Sequence, residues 1–553
     1  MGANPATALL EEDTVERVVD HRGHPVSRSK AGGWRSVAFI MGGEVAERFA
    51  YYGIRSDLIN YLMGPFRKPM AEAAASVNIW SGCTTLFPLL GAFLGDYFLG
   101  RYRMVVIASL LYILGTSLLT LSALSPSLHP TQCPEQEICP PPTQFQTFLL
   151  FTSLYLVAIA QGGHKPCVQA FGADQFDAQN PAESKSRSSF FNWLNFFLCF
   201  GSSVSMITVT YIQENESWGL GFSLPCISMV IAFALFLLGT PTYRYSPTEK
   251  QSDLIKSRED FGAAIEQRVQ QAPVPSDGDR ERLLIQITSE EVHDLRISAW
   301  SGLLMEAKQV LQLMPIWATC ISFGVVGAQP SSLFTKQGDI MDRQVGRHFQ
   351  IPAAAMQSSI GFTMVLLLPI YDRVFVPIMR LFTNLPSGIT MLQRIGIGLF
   401  LSIATMVVAA VMERQRLAMV RELGLADEPE ATVPMSVWWL LPQFVLYGVA
   451  DVFMYIGSLE FFYDQMPDGL KSVGIAFCLT IFGIGSFLSG ILISVVDMAS
   501  SAHGDSWFDT NLNRAHLDYF YWLIAALSII GFGLFMYFAK SYVYKNKTEY
   551  GEM

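Results

Sequence analysis

Long apolar stretches recur along the whole chain, and no other feature constrains the fold as much. A bilayer core about 30 Å thick takes roughly 20 mainly apolar residues per helix. Stretches of that size fall at 36–62, 76–99, 104–124, 147–170, 190–211, 220–240, 308–330, 353–376, 390–412, 437–461, 472–496 and 519–539. In lipid a spanning segment must satisfy its own backbone polar groups, so the segments are predicted as helices. Only 15% of the 553 residues are charged while 51% are hydrophobic, against about 25% charged in a soluble chain. That much apolar surface needs lipid to cover it. The net charge of −10, with no basic stripe, argues against a nucleic-acid partner. The fold class is therefore an all-α membrane protein of about twelve transmembrane helices.

A polar, charged stretch at 241–305, with the turn-like run PVPSDGDR at 273–280, divides the helices six and six. The reading is a tail at 1–35, a six-helix bundle at 36–240, a linker at 241–305, a second bundle at 306–540 and a tail at 541–553. Helical spacing returns from Glu290 to Leu313, as in a lateral amphipathic helix. Two bundles about a charged connection are how rocking, alternating-access carriers are built.

Basic residues orient the bundle, because cytoplasmic loops collect Lys and Arg. Arg101, Arg103, Lys185, Arg187, Arg373, Arg380, Lys540, Lys545 and Lys547 all fall on the side of the termini, while loops 3–4 and 5–6 have none. Loop 9–10 dissents with Arg414, Arg416 and Arg421. The majority places both termini in the cytoplasm, with the plasma or vacuolar membrane as the location. Cys133 and Cys139, in a Pro-rich loop on the other side, could bridge in an oxidising space. The remaining six cysteines lie in apolar segments, where the residue packs as a small hydrophobe. The first 35 residues lack the apolar core of a signal peptide. Leu9-Leu10 beside three acids resembles a sorting signal, or is simply part of a tail.

The first segment carries the chemistry. At about 100° per residue, with Glu44 at zero, Glu47 falls at about −60°, Arg48 at about +40°, Tyr51 at about −20° and Arg55 at about +20°. Two acids, two guanidiniums and a phenol thus share one narrow face. Each charge at bilayer depth costs roughly 2.5–3.5 kcal/mol, so the stripe must meet a water-filled cavity or ionic partners. A self-paired set that only fixes packing is the alternative. In segment 4, Lys165 needs a carboxylate, for which Glu44 and Glu47 are candidates. Pro166 is placed to kink that segment, and His164 is read as a packing residue. In segment 10, Glu460 sits among Phe and Tyr residues as a proton-binding candidate, unless a cation compensates it; Asp451, higher in the segment, is ambiguous. Gly91 and Gly95 allow close helix contact, and Asp96, Arg101 and Arg103 at the mouth point to gating contacts.

Arg48, Arg55 and Lys165 thus put three cations in the first half, with Glu460 alone in the second. A cavity polarised in this way prefers a ligand with an anionic end, because a guanidinium meets a carboxylate or nitrate in a planar, bidentate fit. Protonating an acid makes the cavity more positive, so proton and anion binding favour one another. No HExxH and no phosphate-binding loop of the G-x-x-x-x-G-K-[ST] type occur, so neither an enzyme nor an ATP-driven pump is expected. No cofactor is expected beyond protons as the coupling ion.

The run Gly95-Asp96-x-x-x-Gly100-Arg101-x-Arg103 resembles the loop 2–3 signature of the major facilitator superfamily. Glu44-x-x-Glu47-Arg48-Phe49 with Tyr51-Tyr52-Gly53 resembles the ExxER motif of the proton-dependent oligopeptide transporters. FGADQF from Phe171 and FFNW from Phe190 are similar to further signatures of that family, and LMPIWATC from Leu313 and LEFFYDQMP from Leu459 to those of its plant nitrate/peptide branch. The resemblance implies a proton-driven symporter that works by alternating access on a small anionic or zwitterionic solute such as a di- or tripeptide. Nitrate or a hormone-like carboxylate is the alternative, and a non-transporting sensor a third. It implies proton coupling by Glu44, Glu47, Arg48 and Lys165, to which the apolar surroundings of Glu460 add a fifth candidate; for Glu460 the resemblance implies contact with a peptide amino end and gating. It implies substrate contacts from Arg48, Tyr51, Tyr52, Arg55, Lys165 and Glu460. Two positions depart from the pattern: Cys199 stands where peptide-transporting members tend to carry Asn, and Gly327 where the nitrate-binding member carries His. Arg103-Met104 also lacks that member's threonine switch.

Overall fold

The computed structural model describes residues 14–28, 31–130, 141–177, 180–245, 307–346, 349–383, 388–429, 431–466, 471–502 and 506–544. The dileucine, the Cys133–Cys139 pair, nearly all of the linker and the start of its lateral helix lie outside these residues.

Among the described residues, eleven helices are long and apolar enough to cross a membrane. In chain order they follow α1, Gly33–Arg55, whose five charged side chains set it apart. They are α2 Met70–Leu99, α3 Arg101–Leu124, α4 Gln144–Ala173, α5 Ser189–Asn215, α6 Trp218–Thr242, α7 Ala307–Gly327, α8 Ala353–Thr383, α9 Met391–Leu423, α10 Val437–Gln465, α11 Phe477–Ser501 and α12 Leu517–Ser541. With α1 they make the twelve that hydropathy predicts, in an all-α membrane fold.

Local chemistry sets the starts. Thr143 and Thr390 cap α4 and α9, each in a reciprocal box with the glutamine three residues on. The turn from α2 to α3 rests on Gly100 at φ +80°, a conformation that costs glycine little. The expected first segment is broken: α1 stops at Arg55, and a short helix, Leu58–Met63, resumes after Asp57.

Two expectations about basic loops are corrected. α9 runs for 33 residues, about 50 Å at 1.5 Å per residue, and overshoots the bilayer core. Arg414, Arg416 and Arg421 therefore ride on helix rather than loop, and Arg416 is completely buried. Arg373 and Arg380 likewise lie within α8, which continues past Pro369 through a π turn at Tyr371–Phe375.

α1 packs against α5 and α6, α3 against α4 and α6, and α2 against α4; in the second half α10 packs against α8 and α9, and α9 against α12. The two sets meet along α2–α11 and α5–α8. At the α2–α4 crossing a Cβ on Gly91 would stand 2.1 Å from the Gly162 carbonyl oxygen, and at Gly95 2.4 Å from the Cys167 sulfur. Both glycines are thus used for close approach, as their spacing suggests.

Candidate functional site

α1 buries Glu44 and Glu47 completely and Arg48 almost so. Their face is the one that meets α4, through His164 and Gln169, and α3, through Tyr112. Arg48 Nη2 lies 3.6 Å from Glu44 Oε1, and Arg48 Nε lies 3.6 Å from Glu47 Oε2. Charge-assisted hydrogen bonds run at about 2.7–2.9 Å, so one guanidinium is shared by two carboxylates and held tightly by neither. Gln169 donates to Glu44 Oε1 at 3.1 Å. Glu44 Oε2 and both oxygens of Glu47 are buried without a hydrogen-bond partner.

His164, read from the sequence as a packing residue, sits beside the acids. Its ring is buried with Nδ1 unpartnered and 3.9 Å from Glu44 Oε2. Atoms of Glu44, Glu47 and His164 able to bind a metal or a proton lie within 4.8 Å of one another. The guanidinium beside both acids already supplies positive charge, so the trio suits a proton better than a metal ion. The signal in the sequence was position: His164 precedes Lys165 on the stretch of α4 facing α1.

Lys165 is half-buried and has no carboxylate within 4.0 Å. The expected contact with Glu44 or Glu47 is therefore not made in this conformation. Tyr51 shares a 3.0 Å hydrogen bond with Thr84 and stacks on Trp80, and Tyr52 meets Tyr51 edge-on. Arg55 reaches across to the other half, where its Nη2 donates to Ser331 Oγ at 3.2 Å. α1 thus carries the acids near its middle and, two turns on, a cation directed at the end of α7.

The second half corrects a further expectation. Glu460 is not alone: Arg394, on α9, pairs with it, and the Arg394 guanidinium also sits 5.7 Å from the centre of the Tyr371 ring. Asp451, about two and a half turns toward the other side, is the carboxylate of this helix with an orphaned buried oxygen. At Gly327 a Cβ would stand 2.6 Å from the Tyr447 hydroxyl, so a side chain here needs Tyr447 to move. Tyr447 itself stacks on Phe323 of α7.

Polar contacts at the two ends differ. On the side of the termini, Arg101 bonds Asp96 at 2.6 Å and Asp174 at 2.6 and 2.8 Å, tying the α2–α3 turn to the Asp174 of FGADQF. Arg103 is exposed. The Gln175 side chain bonds the backbone of Arg244 through both its oxygen and its nitrogen, and the Arg244 side chain pairs with Glu183 at 2.7 Å. Burial alone raises the Glu183 carboxyl, but Arg244 outweighs it and holds the group below its usual range. These contacts stay within one half. On the opposite side the bonds cross. Arg343 reaches Glu214 at 2.5 Å, Lys336 reaches Asn60 at 3.1 Å and Asp339 at 2.7 Å, and Gln357 donates to the Ser56 carbonyl at 2.9 Å. Ser489 of α11 joins Asn78 of α2 at 3.1 Å to Gln329 at 2.9 Å. Glu460, Lys165 and Tyr455, nearer the termini, remain partly exposed.

Twelve helices in two packed sets, with an under-paired charge cluster at their centre and bonds that close one end, define a polytopic membrane transporter. The POT family model (PTR2) matches residues 102–508, and the chain belongs to the POT family. In Arabidopsis thaliana, Protein NRT1/ PTR FAMILY 5.10 is 52% identical over 540 residues, which cover 95% of this chain and 96% of that protein. Protein NRT1/ PTR FAMILY 5.14 is 47% identical, covering 97% and 98%. Among solved structures, an auto-inhibited POT family peptide transporter matches with a TM-score of 0.69 at 22% identity, covering 93% of this chain and 98% of that one. The POT family transporter PepTSo matches at 0.67 and 21%, covering 92% and 98%. At that identity the structures speak for the fold.

Proposed function

We propose that the chain is a proton-coupled symporter of a small anionic or zwitterionic solute, working by alternating access. One observation carries the reading: Glu44 and Glu47 are fully buried around a single guanidinium. Two negative charges against one positive leave a buried net charge, which is costly in low dielectric. A proton on either acid removes it. The site is thus built to hold a proton when sealed and release it when hydrated, with no other cofactor needed. Once protonated, the cluster frees Arg48 to attract an anion, alongside Lys165 and Arg55, neither of which is ion-paired to a carboxylate within 4.0 Å.

The side of the termini is read as cytoplasmic, in the plasma or vacuolar membrane, so the conformation described is closed outward and open inward. The Asp96–Arg101–Asp174 cluster would then brace the cytoplasmic mouth, while Arg103 stands free to meet the other half on closure. A peptide offers a carboxylate to the cations of α1 and α4 and an amino group to Glu460. Nitrate or a hormone-like carboxylate uses only the cationic end, and the Arg394–Glu460 pair, which occupies that acid here, favours this second reading. No catalytic role is proposed.

The experiment is a panel of dipeptides, nitrate and carboxylate hormones applied to oocytes expressing the chain, with current recorded at acidic outside pH. Inward current with at least one member is expected. No current, together with no uptake in a deletion strain despite measurable binding, would identify a sensor instead.

A further inference from the structure

Resting on that reading, we propose that His164 is a third proton-holding group of the α1 site, which takes the proton from Glu44 and returns it.

The geometry is that of a relay one small movement short of contact. His164 Nδ1 and Glu44 Oε2 face each other at 3.9 Å, and both atoms are buried and unpartnered. Buried polar atoms of native proteins almost always find a partner, so a pair of orphans facing one another is informative. A rotamer adjustment of about 1 Å brings them to the roughly 2.8 Å of a charge-assisted bond. The transfer balances: the Glu44 acid gives its Oε2 proton to the free Nδ1 lone pair of the Nε2–H tautomer, leaving a carboxylate and an imidazolium, and no other bond changes.

The surroundings explain why the transfer is switchable. From α1, Glu44, Glu47 and Arg48 face the ring; on its own helix the charged neighbour is Lys165; from α3, the buried hydroxyl of Tyr112 lies toward Glu47. The other α3 residues packed on this turn of α4, Met104 and Ala108 against Gly163, are apolar. With Arg48 seated 3.6 Å from both acids, its charge disfavours a proton on Glu44, and the proton moves to His164; two carboxylates then face one guanidinium and one imidazolium with no net charge. When an anionic solute draws Arg48 away, that repulsion is lifted and the proton returns to Glu44. His164 thereby holds the proton while Arg48 is paired with both carboxylates, and hands it back when Arg48 is engaged by the solute. Gln169, at 3.1 Å from the other oxygen of Glu44, holds the carboxylate in place during the exchange.

The test is pH-difference infrared spectroscopy on the purified full-length protein, which needs no substrate. His164→Gln and His164→Asn are compared with wild type, and Glu44→Gln and Glu47→Gln assign the carboxyl bands. In the wild type the imidazolium opposes protonation of Glu44. Both His164 variants are therefore expected to show the Glu44 carboxyl band at a pH higher by about 0.5 unit or more. Proton-driven current in oocytes, with whichever panel member is transported, should shift its pH dependence in the same direction. An unshifted band in both folded variants overturns the proposal. If neither Glu44→Gln nor Glu47→Gln removes a carboxyl band, the proton site itself is misread and the proposed function fails instead. Gel filtration separates both outcomes from misfolding, since His164→Asn keeps a polar side chain if His164→Gln does not fold.

Discussion

Two buried ion clusters in this chain have similar membership and opposite character. In the second half, Arg416 bonds Glu413 at 2.6 and 2.9 Å, the Leu512 carbonyl at 2.8 Å and Asn513 at 3.1 Å, and both ions are wholly inaccessible. Each guanidinium nitrogen has a close acceptor. In the first half, Arg48 stands 3.6 Å from both Glu44 and Glu47, and three carboxylate oxygens have no hydrogen-bond partner. The first cluster is saturated and bolts α9 to the segment before α12. The second holds its acids short of a full set of bonds, which is what a group must do if it is to change protonation and partner in each cycle. Burial of charge alone therefore does not distinguish the two clusters; completeness of pairing does.

The comparison breaks most sharply if the saturated cluster turns out to be dispensable. Arg416→Ala leaves Glu413 buried and unpaired, a loss of about 3–5 kcal/mol. Little folded protein should reach the membrane, as measured by detergent-solubilised yield and thermal transition. An undiminished yield would mean that the close bonds carry no stability.

Glu47→Gln tests the other side of the contrast. Concentrative uptake should fall on the order of 100-fold, or about 2.7 kcal/mol, with yield and thermal transition near those of the wild type. Accumulation against a gradient by this mutant, with continued acidification of the cells, would remove the coupling role.

A smaller effect sharpens the ligand assignment. Arg55→Ala should weaken binding of a dipeptide, its N-acetyl form and nitrate alike by about tenfold, ~1.4 kcal/mol. Glu460→Gln should affect the free dipeptide alone, and only if Arg394 releases Glu460 on binding. Equal losses for all three ligands in both mutants, by equilibrium binding to purified protein, would end the polarity argument. The smallest effect belongs to Tyr51→Phe, which removes one hydrogen bond to Thr84 and should cost about 0.5–1.5 kcal/mol of stability, read as a slightly lower thermal transition at unchanged coupling.

Much of this was legible in the sequence because it depends on local periodicity. Apolar length gave the helices, and the 100° rule put Glu44, Glu47 and Arg48 on one face. What was not legible depends on tertiary pairing. Nothing near Glu460 announces Arg394, 66 positions away, so the acid read as isolated. Arg416 read as a loop charge because hydropathy ends α9 where its apolar run ends, although the helix continues. His164 read as packing, and the acid that its ring faces, Glu44, lies on another helix. Lys165 faces the acid-bearing helix, but in this conformation it pairs with neither Glu44 nor Glu47.

The meeting of α2 with α11 has one more consequence. A Cβ on Gly82 would come 2.7 Å from the Phe487 ring and 3.0 Å from the Gly483 carbonyl, and one on Gly490 would come 3.1 Å from the Ala75 carbonyl. The main chains therefore approach closely at these glycines, with the side chains of Phe487, Leu86 and Ile79 seated against the bare positions. Bulkier ridges there would have to climb over one another before the helices could turn, and the glycines lower that barrier. The buried Asn78–Ser489 hydrogen bond crosses the same seam, so the latch that sets the waiting time is shared between it and the rim, where Arg343 meets Glu214 and Lys336 meets Asn60.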